Sequence, residues 1–166
     1  MTGPSPALES AGRQLALVHS IPLDGYGALA VQGTSAFGTS DTWGAFVGEL
    51  TSGLGDLVIG LILAEPLAAA ASAALERSAD TFRFDDPAVL LHGDLKPAHI
   101  FATSDRYVGL IDWGDACAGD PRLDLGRMSM AGPTAFATFM SGSGLRSQRN
   151  STGPSPATAW FGTSLH

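Results

Sequence analysis

The sequence predicts an α+β fold, mostly helical, with short β-hairpin structure gathered around one acidic site. Three observations carry that expectation. Apolar residues recur at helical spacing through much of the first half. Two apolar runs later in the chain each stop at a carboxylate, Asp94 and Asp112. The second run, Tyr107–Ile111, and the preceding Ile100–Ala102 flank the turn-forming stretch Thr103–Arg106, the pattern of a hairpin.

Taken in order, residues 1–7 read as a disordered start. Ala7–Ile21 carries Leu8, Leu15, Leu17, Val18 and Ile21 between polar residues and predicts a helix. Pro22–Thr39, rich in Gly, Ser and Thr, reads as an irregular loop. Ser40-Asp41-Thr42 is capping chemistry for a second helix running to Leu50. Asp56 to Ala79 is mostly helical, with a kink expected at Pro66 because proline removes a helical N–H. Asp85-Asp86-Pro87 turns the chain into a strand over Val89–Leu91. Asp120-Pro121 starts a last helix across Leu123–Met140, and residues 146–166 show no periodicity and read as an irregular tail.

Composition narrows the function classes. A chain of 166 residues with 45% hydrophobic residues suits one or two globular domains, and 21 Gly with 10 Pro imply much loop. The net charge is −7 and the nine basic residues are scattered, which argues against nucleic acid, whose partners carry a basic stripe. Cys117 is the sole cysteine, so no internal disulfide can form, as suits a cytoplasmic protein. The start Met-Thr-Gly-Pro-Ser-Pro has neither the basic nor the apolar part of a secretion signal. Leu57–Ala74 is interrupted by Gly60, Glu65 and Pro66, whereas a membrane span needs about 20 largely apolar residues. A buried helix pair is expected there, and no membrane partner.

The chemistry concentrates at Leu90–Phe101 and Val108–Gly114. Two strand ends joined by a tight connection can bring Asp94 and Asp112 to one mouth. Paired carboxylates repel unless a cation lies between them or one is protonated, so the arrangement implies metal or proton chemistry.

These residues also carry a resemblance. His92-Gly93-Asp94-Leu95-Lys96-Pro97-Ala98-His99 resembles the catalytic loop of aminoglycoside phosphotransferase-like kinases, and Ile111-Asp112-Trp113-Gly114 their metal-binding strand end. Gly119-Asp120-Pro121-Arg122-Leu123-Asp124-Leu125 matches the motif that follows in that family, and Gly12–Gly27 is similar to its segment after the lobe linker. The resemblance spans about Leu8 to Leu145, the expected kinase-like C-terminal lobe, with its catalytic loop at 90–101 and metal-binding strand end at 108–114. It implies the large lobe of a protein-kinase-like fold and transfer of a γ-phosphate from ATP or GTP, with Mg²⁺, to a hydroxyl of a small molecule such as an aminoglycoside or macrolide.

By the same resemblance, Asp94 would receive or orient the hydroxyl proton, Lys96 would meet the transferred phosphate, and Asp112 would hold the metal. His99 stands where most members have Asn, as the other metal ligand; Mg²⁺ prefers oxygen while imidazole suits softer metals. His92 is expected to bond nearby backbone, Asp124 to anchor the loop, Asp120 to cap a helix, and Trp113 and Phe101 to pack. Asp115 reads as an exposed loop carboxylate that could also face a cationic substrate. Cys117 is read as inert.

Parts of the family pattern are not displayed. Gly25-Tyr-Gly27, Gly53-Leu-Gly55 and Gly142-Ser-Gly144 lack the third glycine of a nucleotide-covering loop, and Lys96 is the only lysine. The N-terminal nucleotide-binding lobe is therefore expected to be absent, with the tail altered and self-association through the uncovered surface a consequence. Two alternatives stay open: a catalytically inactive kinase-like fragment binding a metal or partner, and a metal-dependent phosphoester hydrolase using the same carboxylates.

Overall fold

A computed structural model describes residues 5–54, 65–77, 83–104 and 106–144. In chain order the elements are α1 (Pro6–Val18), β1 (Tyr26–Gln32), β2 (Ser35–Ser40), α2 (Trp43–Leu54), α3 (Glu65–Arg77), β3 (Val89–Leu91), β4 (Ile100–Thr103), β5 (Arg106–Leu110), β6 (Cys117–Gly119), α4 (Arg122–Ser129) and α5 (Pro133–Ser143). A single 3-10 turn, Pro97–His99, precedes β4. The mixture of helices with small antiparallel sheets agrees with the α+β expectation. The chain divides into two compact units: Met1–Ile21 with Leu91–Ala116 and Pro121–His166, and Pro22–Leu90 with Cys117–Asp120.

The first unit is built on helix α1. Pro6 sits in its first turn, where a missing N–H costs nothing, and Ala7, Ala11, Gly12 and Leu15 form its buried stripe. Residues 6 and 7 therefore belong to the helix, not to an irregular start. The helix ends at Val18, short of the expected Ile21; Leu17, expected on the apolar face, stands exposed, as does Ile21 beyond the helix end. The small residues of the stripe admit α5: a Cβ on Gly12 would overlap the Phe139 carbonyl, and one on Gly142 would overlap the Glu9 carbonyl. Ala11, Leu15, Leu95, Met128 and Phe139 make the core, with Ile100, Tyr107 and Leu110 from the β4–β5 hairpin packed against it. That hairpin pairs Ile100 with Leu110 and Thr103 with Arg106, as the sequence pattern predicts.

The expected single helix over Leu123–Met140 is instead two. Gly132 at φ 93 followed by Pro133 breaks it, since neither residue continues a helix, and α5 ends at Gly144 in the left-handed conformation.

The second unit holds a four-stranded sheet in the order β2-β1-β6-β3. Pro22–Thr39 is largely a β-hairpin and not the expected loop. β1 and β2 pair antiparallel from Tyr26↔Ser40 to Gln32↔Ser35, closed by the two residues Gly33-Thr34 with Gly33 at φ 62. A Gly in the first position of a two-residue hairpin turn supplies the positive φ that matches strand twist. Helix α2 is capped as expected, Thr42 Oγ1 accepting the Ala45 N–H at 3.1 Å, but runs to Leu54. Trp43 is buried, its ring filling the space that Gly119 on β6 leaves open. Pro66 lies in the first turn of α3, and the expected kink involves residues 55–64, outside the described residues. The 146–166 tail also lies outside them. Among the described residues no helix is long and apolar enough to cross a membrane.

Candidate functional site

The loop that follows β3 is held by its backbone. Asp124, in the first turn of α4 and fully buried, accepts the N–H groups of His92 and Gly93, each at 2.9 Å. The same carboxylate receives His19 Nε2, from the C-cap of α1, at 2.9 Å. Three donors satisfy a charge that burial would otherwise penalise heavily. Asp124 thus anchors the loop, as the sequence suggests. Gly93 sits at φ 84, and a Cβ there would overlap the Asp115 carbonyl, so the loop and the segment after Asp112 meet backbone to backbone.

His92 is fully buried and its Nε2 donates to the Ile111 carbonyl at 2.9 Å, tying the loop to the residue before Asp112. A carbonyl can only accept, so Nε2 carries the proton, and Nδ1 has no partner. The ring lies 4.7 Å from Trp113 and 5.7 Å from His99, stacked on the latter. His92 therefore bonds backbone, as expected.

His99, buried at the end of the 3-10 turn, joins the two carboxylates. Its Nδ1 donates to the Asp94 carbonyl at 2.9 Å and lies 3.9 Å from Asp94 Oδ2. Its Nε2 lies 3.1 Å from Asp112 Oδ2. Asp94 and Asp112 thus face opposite nitrogens of one imidazole, with the His99 ring between the two carboxylates. Asp112 has φ 64, a left-handed conformation in which a non-glycine residue is uncommon, and its side chain is exposed.

Asp94 is gripped from two sides. Lys96 Nζ donates to Oδ2 at 2.7 Å and Arg127 Nη1, from α4, to Oδ1 at 3.0 Å. The Lys96 hydrogen bond, above all, holds the carboxyl below its ordinary value; burial works in the opposite sense, and the Lys96, Arg127 and His99 charges reinforce the lowering. Arg127 and His19 were not singled out from the sequence. Arg127 lies three positions after Asp124, on the same helix face, and that spacing is the signal that could have found it.

Two expected packing residues behave otherwise. Phe101 is half exposed, because on β4 it alternates with the core-facing Ile100. Trp113 packs on His92 and donates to the Leu110 carbonyl at 3.0 Å, yet is 38% exposed. A cavity of about 660 Å³ in this unit is lined by Ser10, Arg13, Thr103 and Tyr107 among others, and by none of Asp94, Lys96, His99 or Asp112. Of those four, Lys96 and Asp112 are exposed, Asp94 is partly covered and His99 is buried. Among the described residues no three His, Cys, Asp or Glu side chains converge as a preformed metal cage.

Comparison with solved structures finds the same architecture. A proposed fructosamine-3-kinase from Thermobifida fusca is 21% identical with a TM-score of 0.61, covering 86% of this chain and 51% of that one. A thermostable mutant of aminoglycoside phosphotransferase APH(4)-Ia is 16% identical with a TM-score of 0.55, covering 84% of this chain and 55% of its own. The same phosphotransferase is known in a ternary complex with AMP-PNP and hygromycin B. Macrolide 2'-phosphotransferase MphH from Brachybacterium faecium is 20% identical with a TM-score of 0.50, over 88% of this chain and 49% of that one. The chain spans about half the length of these structures, and at such identities the likeness is one of fold. No curated protein gives a significant sequence match. The model of the phosphotransferase enzyme family matches residues 4–157, nearly the whole sequence, and the chain belongs to that family.

Proposed function

We propose that this chain carries the phosphate-transfer site of an ATP- or GTP-dependent phosphotransferase acting on a hydroxyl of a small molecule, an aminoglycoside or macrolide among the candidates. The observation that carries this reading is the placement of Asp94 and Asp112 on the two nitrogens of His99. On the same reading, Leu8–Leu145 is the large lobe of the kinase-like fold.

Asp112 and His99 are the proposed holders of Mg²⁺. With Nδ1–H committed to the Asp94 carbonyl, a neutral His99 turns the Nε2 lone pair toward Asp112, and two lone-pair donors side by side favour a proton or cation between them. Their 3.1 Å separation suits a divalent ion. Adjacent ligands of an octahedron with bonds of about 2.1 Å lie about 3.0 Å apart. Two protein donors with substrate phosphates completing the shell is the usual way Mg²⁺ is held. When bound, the ion would neutralise charge on the nucleotide phosphates.

Asp94 would accept the hydrogen bond of the acceptor hydroxyl and aim its oxygen at the phosphorus. A carboxylate kept below its ordinary range is a weak base, so its contribution is orientation more than proton removal. Lys96, half exposed beside it, would meet the oxygens of the phosphate in transfer. The half-exposed Phe101, opposite Gly109 and on the strand after His99, would offer a flat apolar face to the nucleotide base.

A kinase-like module that binds metal or a partner without catalysis is the second reading. It is favoured by the single lysine already engaged with Asp94 and by the absence of a displayed glycine-rich loop. The deciding experiment incubates purified, folded protein with Mg-ATP or Mg-GTP and a panel of aminoglycosides, macrolides and ketosamines, with mass spectrometry of the acceptor. A phosphorylated product lost in Asp94→Asn is expected. No product, with no nucleotide binding by calorimetry, rejects the phosphotransferase for this chain. Tight nucleotide binding by the isolated chain counts against the second reading.

A further inference from the structure

We infer that His19 is a positioning residue for Asp94: it fixes the rotation of the Asp124 carboxylate, which in turn holds the backbone from which Asp94 points. This rests on Asp94 being the residue that receives the hydroxyl. The two oxygens of Asp124 are loaded unequally. Oδ1 takes the Gly93 N–H alone, whereas Oδ2 takes both the His92 N–H and His19 Nε2, each at 2.9 Å. A carboxylate only accepts, so His19 Nε2 carries the proton. Both side chains are buried, so water is poorly placed to replace that donor. Without it, Asp124 is bonded only to the loop it is meant to hold, and carboxylate and loop are free to shift together.

The loop needs an outside reference. Gly93, directly before Asp94, sits at φ 84, a conformation that glycine enters and leaves with little cost, so the chain can pivot there unless its N–H is held. Lys96 and Arg127 also bond Asp94, but both are long, half-exposed side chains that can follow the carboxylate as it moves. His19 has the firmer mount. Its own N–H bonds the Leu15 carbonyl at 2.8 Å, and Leu15 lies in the core. Gly12 and Gly142 let the backbones of α1 and α5 meet one turn further back. The path from the packed helix to the reacting carboxylate therefore runs from α1 through His19 and Asp124 to the His92 and Gly93 amides.

The test compares the full chain with His19→Phe, which keeps the ring and removes the donor, and His19→Gln, whose amide nitrogen reaches about as far as Nε2. Amide hydrogen exchange by NMR is the first readout. His19→Phe should speed exchange at His92 and Gly93 by about tenfold or more while Phe139 in α5 keeps its rate, and His19→Gln should restore the slow exchange. Phosphate transfer is the second. His19→Phe should lower kcat by about 10–100-fold, the usual effect of a small misplacement, with KM for nucleotide and acceptor within about twofold, and His19→Gln should recover most of the loss. Should His19→Phe fail to fold, His19→Asn, whose amide falls short of Asp124, takes its place. Unchanged exchange at His92 and Gly93 overturns the inference. So does a rise that Phe139 shares, which marks lost stability alone, or a kcat that stays at the wild-type value while the two amides loosen. A wild-type chain that transfers no phosphate rejects the phosphotransferase, and the exchange readout then decides the clamp by itself, so the two readings fall separately.

Discussion

At the scale of single residues, the site is a set of charges each held by a different device. Asp124 is buried and answered by three donors, so its removal strands His19 Nε2 and two backbone N–H groups in the interior. Asp124→Ala should lower stability by about 3–5 kcal/mol, the cost of breaking a buried charged network. Urea unfolding measures it, and a loss below about 1 kcal/mol would show that the network is not closed in solution. Asp94 is exposed enough to titrate, and its pH dependence has a definite sign. Its folded pKa lies below the ordinary value of 3.8, so its stabilisation is fully present above that value and fades as pH falls through the lower folded one. The stability gap between wild type and Asp94→Asn should therefore be flat from neutral pH down to about 5 and shrink only in strong acid. A gap that shrinks between pH 5 and 7 would contradict the lowered pKa. The carboxylates themselves were legible in the sequence because each closes an apolar run. Arg127 was not, since its one local mark is its place a turn after Asp124, and its meaning comes from a partner 33 residues away.

At the scale of elements, what the sequence displayed and what it concealed divide along glycine. The β4–β5 hairpin, β3 and the cap of α2 follow from local patterns, and the structure forms them. The β1–β2 hairpin was hidden because its glycines, read as loop, are the residues that permit it. Gly33 supplies the turn and Gly38 lets the strand lie against Tyr26. Strand β6 is three residues long and gains its identity from pairing with β1, which no local window contains. Gly142, read in the sequence as part of an incomplete phosphate loop, instead lets α5 touch the backbone of α1, with Gly12 making the reciprocal contact. Gly12→Ala should accordingly destabilise by about 1–3 kcal/mol through overpacking. Gly48→Ala in α2, with nothing near its Cβ position, should stabilise by about 0.5–1 kcal/mol through helix propensity. Thermal melts of the two variants should move in opposite directions; movement of both the same way would mean that the α1–α5 contact is looser than described.

At the scale of the whole molecule, every charged group assigned to phosphate transfer falls in the unit built on α1, the β4–β5 hairpin, α4 and α5. A ligand that binds there stabilises that unit by mass action, about 2.7 kcal/mol at a hundredfold excess over its Kd. For a chain of this size that corresponds to a rise of the order of 5–10 °C in melting temperature. Magnesium with a non-hydrolysable nucleotide should raise the transition of this unit by such an amount in scanning calorimetry, and chelation should reverse it. A protein of net charge −7 gains something from any divalent ion, so sodium chloride at matched ionic strength sets the baseline. Asp112→Asn and His99→Ala should return the melting temperature to that baseline, while Asp41→Asn, on the unit containing α2, should not. The imidazole adds a further discriminator. Nitrogen donors rank Mn²⁺ ahead of Mg²⁺, so manganese should give the larger shift, and His99→Asn should narrow the difference by restoring an oxygen donor. A shift that is the same for both metals and indifferent to His99 would place the ion elsewhere, and with it the reading of His99 as the link between the two aspartates would fail.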